Sequence, residues 1–216
     1  MATINYTSVL FDRARTIGAF CVVGLVVALL VCFVQPLKYS STVRLLVMQD
    51  LGSTTDAYTA SRSEERIAEN LSTIVYTTTF FDEVMKAGFS IQERYFPTQD
   101  YKKRQEWAKT VDATIARGSG LMTITAYHQD VSQAEQIARA VASVLTAKAS
   151  EYTSGGGVQV KLIDAPLNSR YPVKPNILAN AVSGVVLGGL VGIGFVLMQY
   201  EKIRRRHQFV HEDNVA

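Results

Sequence analysis

Cysteine is nearly absent. The 216 residues contain two, Cys21 and Cys32, both inside an apolar run near the N-terminus. The polar stretch 39–171 has none, so disulfides are excluded there and a buried core must hold it together. The two cysteines stand too far apart along a helix to bridge each other. Histidine is almost as scarce: His128 lies in the polar stretch, His207 and His211 near the C-terminus. None stands at metal-ligand spacing from Cys, Asp or Glu, and no metal or cofactor is expected. Nor does one sign of charge prevail in the polar stretch, where acidic and basic residues nearly cancel. That balance argues against a nucleic-acid partner.

The formal net charge of +3 comes instead from residues that flank two runs with no charge at all, 17–34 (IGAFCVVGLVVALLVCFV) and 177–200 (ILANAVSGVVLGGLVGIGFVLMQY). At the helical rise these extend about 27 and about 36 Å, against a hydrocarbon core of about 30 Å. Both predict membrane-spanning helices, the second with some tilt. The first run ends without a small-x-small cleavage site, which argues against a removable signal peptide. Val31 precedes Cys32 where lipoprotein processing needs a small residue. Arg13 and Arg15 precede the first run, and Lys202, Arg204, Arg205 and Arg206 follow the second, whereas only Lys38 and Lys174 border the inner ends. By the positive-inside rule both termini are cytoplasmic and the part between is extracytoplasmic. The expected organisation is a tail (1–16), a first span (17–36), a folded domain (37–173), a proline-rich lead-in with the second span (174–200) and a second tail (201–216).

Within the domain, Val43, Leu45 and Val47 alternate in YSSTVRLLVMQ and predict a strand. After a polar loop over 50–59, Ser61 stands three residues before Glu64 as a capping box for a helix over 62–76. A shorter helix over 80–87 ends at Gly88. Residues 91–101 read as irregular, and 101–109 as a basic helix burying Trp107. Residues 110–116 and 121–128 alternate around Arg117, Gly118, Ser119 and Gly120, a hairpin signal. Asp130 caps a helix over Val131–Tyr152 that buries Ala134, Ile137, Ala138, Val141 and Leu145, with Gly155, Gly156 and Gly157 to stop it. Val158, Val160 and Leu162 form a last strand. The fold class expected is α+β: two transmembrane helices flanking one extracytoplasmic domain, with a small mixed β-sheet packed by helices.

No catalytic constellation emerges, and a non-enzyme is expected. Gly118-Ser119-Gly120 lacks the G-x-S-x-G pattern, and no lysine follows Gly155 to Gly157 as a phosphate loop requires. Glu64 with Glu65 and Asp82 with Glu83 read as solvated helix starts. His128 reads as a surface or strand-edge histidine. Three other features stand out. Asn180, Gly184, Gly188 and Gly192 recur at four-residue steps on one helix face, with Gly24 and Ala28 as a shorter counterpart in the first span. Small residues admit a close helix, either the first span of the same chain or a neighbouring subunit's. Pro166, Pro172 and Pro175 predict a stiff, extended connector. Arg204, Arg205 and Arg206 fix topology.

Together these residues resemble the Wzz-type chain-length determinants, or polysaccharide co-polymerases. The similarity lies in Pro36-Leu37-Lys38-Tyr39 opening the first strand, the helix from Asp130 through Ala134 to Ala138, the strand ending Asp164-Ala165, Pro172-x-x-Pro175 and the glycine-rich second span. The chain departs from the family by placing Asn168, Ser169, Arg170 and Tyr171 where an earlier proline often falls. It also lacks the long coiled-coil insertion of tall members. The resemblance implies a homo-oligomeric ring in the bacterial cytoplasmic membrane that sets the length or export of a capsular, O-antigen or exopolysaccharide. Its implied partners are membrane lipids, a polymerase with its lipid-linked glycan, and a separate tyrosine kinase met at the C-terminal tail through Arg204 to Arg206. An adaptor that activates such a kinase is an alternative expectation. A ligand-sensing receptor subunit is another.

Overall fold

A computed structural model describes residues 10–50, 56–153 and 157–212, with side chains described as far as Lys202. The chain divides into two compact units, one of residues 1–36 with 174–216 and the other of 37–173.

The first unit holds the two apolar helices, α1 (Ala14–Val34) and α6 (Ile177–Glu212). Both are long and apolar enough to cross a membrane, α6 over Ile177–Lys202. Asn176 starts α6, its side-chain Oδ1 accepting from the Ala179 amide at 3.1 Å. That bond satisfies one of the donors left over in a helical first turn.

The second unit is α+β. Strand β1 (Tyr39–Gln49) leads into α2 (Ala57–Ile74), α3 (Thr78–Lys86), a 3₁₀ turn at Glu93–Tyr95 and α4 (Asp100–Thr110). The hairpin β2 (Val111–Ile115) and β3 (Leu121–His128), α5 (Val131–Tyr152) and β4 (Val158–Asn168) complete it. The strand order is β2-β3-β1-β4. Every ladder is antiparallel, β1 with β3, β1 with β4 and β2 with β3. This corrects the mixed sheet expected from the element order. β3 and β4 do run parallel, but α5 carries the chain past β1, which lies between them and is antiparallel to both, so no parallel ladder forms.

The core lies on one sheet face. Val43 pairs with Ile124 and Leu45 with Met122, and all four are fully buried beneath helix residues such as Leu71, Phe80, Ile137 and Leu145. The opposite face carries Thr42, whose Oγ1 meets that of Thr125 at 3.2 Å, and Arg44, which pairs with Asp164 at 3.6 Å in the open. One sheet edge is capped: the Ala113 amide on β2 donates to the Tyr76 hydroxyl at 2.9 Å.

Several boundaries differ from expectation. α2 begins at Ala57, capped by Asp56, whose Oδ1 accepts from Thr59 N at 2.6 Å. The Ser61 capping box is therefore absent. Ser61 sits inside the helix and donates to the Gly118 carbonyl at 2.6 Å, and Glu64 and Glu65 are mid-helix. The better cap wins because Asp56 precedes four residues, Ala57 to Ala60, that extend the same helical run. The expected 50–59 loop is thus shortened, and its residues 51–55 lie outside the described part. α3 starts at Thr78 with a Thr77 cap, and Gly88 follows at φ +79°. β4 runs on to Asn168 and includes Pro166, which edge position tolerates because the missing amide costs no ladder bond there. Its alternation ends at Leu162, which pairs with Leu45 and is exposed, and beyond it the pairing with β1 shifts register between Thr42 and Leu45. α5 leaves the helical conformation at Thr153; Gly155 and Gly156 lie outside the described residues.

Candidate functional site

Two arrangements concentrate the unusual residues, one in each unit. In the first unit, α1 and α6 pack antiparallel along the small residues. A Cβ added at Gly24 would collide with the Gly184 carbonyl oxygen and lie 3.0 Å from Gly188 Cα. At Gly184 it would meet Ala28 Cβ at 2.5 Å, at Gly188 the Phe20 carbonyl, and at Gly192 Phe20 Cβ at 2.9 Å. Each four-residue step up α1 meets a four-residue step down α6. The backbones touch because nothing but hydrogen stands between them. Phe20 also packs on Phe195, ring centroids 5.2 Å apart, and the Asn180 amide donates to Cys32 Sγ at 3.1 Å. The partner of the glycine face is thus the first helix of the same chain. The polar Asn180 ends the stripe with its donor satisfied.

The second arrangement lies in 37–173, where the chain ends of that unit meet. The Val173 amide donates to the Lys38 carbonyl at 2.8 Å. Lys38 Nζ pairs with Glu106 Oε1 at 3.2 Å, and the side chains are only 13% and 25% exposed. The Tyr95 hydroxyl donates to the same Glu106 oxygen at 3.4 Å, and Lys38 Nζ lies 5.7 Å from the Tyr95 ring centre. Tyr95 in turn packs on His128, centroids 4.4 Å apart. Burial pulls on the Lys38 amine from below, but its contacts with Tyr95 and Glu106 outweigh that and raise its pKa. Burial likewise pushes Glu106 up, yet the bond to Lys38 and the charges of Lys38 and Lys109 hold it below the usual carboxylate range. This cluster ties the start of β1 to the 3₁₀ turn, α4 and the end of β3.

His128, expected on the surface or at a strand edge, ends β3 and is buried. It is 5% exposed because it continues the inward series Met122, Ile124, Ala126 at period two. The Asp130 amide donates to its Nδ1 at 3.0 Å, a bond that needs Nδ1 unprotonated. Burial lowers its pKa below 6.5, with nearby Lys38 acting in the same direction and the Asp130 carboxylate opposing. The unfolded chain therefore takes up this proton first as pH falls. Stability is full above the ordinary histidine value and declines as pH drops through 6.5 toward the lower folded value. Thermal unfolding of the full chain in detergent is expected to show a falling midpoint between neutral pH and about pH 5, a slope that His128→Asn flattens. Glu106, whose pKa is likewise lowered, contributes only at more acid pH: its stabilisation is present above 4.5 and lost as pH falls through its lowered value.

The other expected residues are dispersed. Pro166 lies in β4 where its register with β1 shifts, Pro172 is exposed outside regular structure, and Pro175 precedes α6. The side chains of Arg204, Arg205 and Arg206 lie outside the described ones. Gly118, at φ +71°, and Ser119 form the hairpin turn, with Ser119 Oγ donating to the Ala116 carbonyl at 3.2 Å. Ser41 Oγ is buried with no hydrogen-bond partner among the described residues. Among those residues no group of three His, Cys, Asp or Glu side chains is placed to hold a metal ion. The Lys38–Glu106–Tyr95 cluster escaped the sequence reading because its members sit far apart in the chain. Only the period-two position of His128 was there to be noticed. Compared with known protein families and characterised proteins, the chain matches no family model and no individual sequence.

Proposed function

We propose that the chain is a non-catalytic membrane scaffold of the Wzz-type chain-length determinant kind, which governs the length or export of a surface polysaccharide. The observation that carries the reading is a single α+β unit whose two ends lie side by side, Val173 on Lys38, inserted between two apolar helices packed antiparallel. A domain hung from a helical hairpin in this way can position other membrane components without chemistry of its own. In this reading both termini are cytoplasmic, in keeping with Arg13, Arg15 and the basic residues after Tyr200, and the unit 37–173 is extracytoplasmic. Homo-oligomers would form through surfaces other than the glycine face, since α1 already covers it. The continuation of α6 as a helix to Glu212 favours a second role within the same reading, a contact through the C-terminal tail with a separate tyrosine kinase.

The test is deletion of the gene in its host, followed by gel separation of the surface and released glycans. The expected result is an altered chain-length distribution or loss of the long population, restored by the intact gene. An unchanged glycan profile overturns the proposal.

A further inference from the structure

We infer that the end of the 37–173 unit where its two chain ends meet is a bilayer-contacting collar, in which Leu37, Tyr171 and Val173 enter the interfacial layer and Arg170 faces anionic lipid headgroups. This rests on the membrane reading above. The collar is built by two segments that run side by side. The Ser169 amide donates to the Ser40 carbonyl at 2.8 Å, the Ser40 amide to Ser169 Oγ at 2.9 Å, and the Val173 amide to the Lys38 carbonyl at 2.8 Å. Between those ties Arg170, Tyr171 and Pro172 bulge outward, with the Arg170 guanidinium 5.7 Å from the Tyr171 ring centre.

Tyr171 is 70% exposed, Leu37 55% and Val173 40%, whereas the inward-facing Val43, Leu45, Val47, Met122 and Ile124 of β1 and β3 are fully buried. Chain reach limits where these residues go. Leu37 is three residues past the end of α1 and so at most about 11 Å from it, and Val173, four before α6, at most about 14 Å. The polar layer beyond the hydrocarbon is about 5 to 8 Å deep on each side. Charge agrees with this: residues 35–43 and 165–176 contain no Asp or Glu. Lys38 is turned inward onto Glu106, whereas Arg170 is exposed on the bulge. Tyrosine, with an apolar body and a polar tip, suits that layer, and arginine adds attraction to anionic lipid.

The experiment uses the full chain with Cys21→Ser and Cys32→Ser, reconstituted in phosphatidylcholine vesicles with and without phosphatidylglycerol. Single cysteines at Leu37, Tyr171, Tyr58 and Val27 each carry an environment-sensitive fluorophore. Tyr58 on α2 is the exposed control and Val27 in α1 the membrane control. Expected are a blue-shifted emission at positions 37 and 171 relative to 58, and loss of that emission to headgroup-attached nitroxide. Arg170→Glu should weaken the quenching at position 37 in the anionic vesicles. Emission at 37 and 171 that matches 58, while 27 is quenched by nitroxide on the lipid chains, overturns the collar and leaves the membrane reading standing. A blue shift without lipid quenching also overturns it, since another protein surface then covers these residues. An unquenched position 27 overturns the membrane reading itself.

Discussion

Gly188→Leu is expected to part the two apolar helices. A Cβ at this position meets the Phe20 carbonyl oxygen well inside contact distance and lies 3.1 Å from Cys21 Cα. Both obstacles are backbone of a regular helix, which cannot step aside as a side-chain tip can. The natural cysteine supplies the readout. Cys21 Sγ lies 3.2 Å from the point where a Cβ on Gly189 would stand, within reach of disulfide geometry. In a Cys32→Ser background, Gly189→Cys should therefore oxidise with Cys21 inside one chain. The bond is detected on a non-reducing gel after cleavage between the helices. Adding Gly188→Leu should lower its yield about tenfold or more, for which a loss of about 1.4 kcal/mol suffices. Gly194→Leu is the control, because nothing lies within 4 Å of its added Cβ. Undiminished cross-linking in the Gly188→Leu protein would show that the glycine face is not what holds the pair together.

Trp107→Ala should produce the largest loss of stability in the 37–173 unit. Trp107 is the only tryptophan of the chain and is 1% exposed. Its ring stands edge-on to Phe81 and Phe96, centroids 5.2 and 5.9 Å away, and its Nε1 donates to the Val75 carbonyl at 2.7 Å. Truncation removes the ring from between α3 and the turn before α4, leaves a cavity and strands a buried carbonyl. Such changes cost about 3–5 kcal/mol, a large part of the 5–15 kcal/mol typical of a whole domain. Trp107→Phe keeps much of the packing and loses the hydrogen bond, so it should cost less, on the order of 1–3 kcal/mol. Denaturant unfolding of the detergent-solubilised chain, followed by pulse proteolysis, ranks the three proteins. Equal stability of the alanine variant and the parent would mean that the aromatic cluster contributes nothing to holding the helices on the sheet.

The elements differ in how far the sequence announced them. α5 matches its expected span of Val131–Tyr152 and is capped by Asp130, whose Oδ1 accepts from Ser132 N at 2.9 Å. Its signals are local: a cap, a 3.6-residue stripe and a run of good helix formers. The β2–β3 hairpin was legible for the same reason, since its turn glycines sit between two alternating runs. α2 was less so: the Ser61–Glu64 spacing pointed to a start at 62, whereas Asp56 caps the helix at Ala57. The glycine stripe of α6 was visible at four-residue spacing, but which helix covers it was not. Gly24 and Gly184 lie far apart in the chain, so no local pattern links them.

The apolar runs, the cysteine-free core, the helix capped by Asp130 and the hairpin were determined by the amino-acid sequence alone, because each depends on residues within a turn or two of one another. The tertiary structure alone decided the antiparallel order β2-β3-β1-β4, the covering of the glycine face by α1, and the burial of His128 beside Tyr95 and Lys38. Those depend on which faces meet across long separations, as with Lys38 and Glu106, 68 residues apart. Period and propensity say which side of an element is apolar, but not what lies against it.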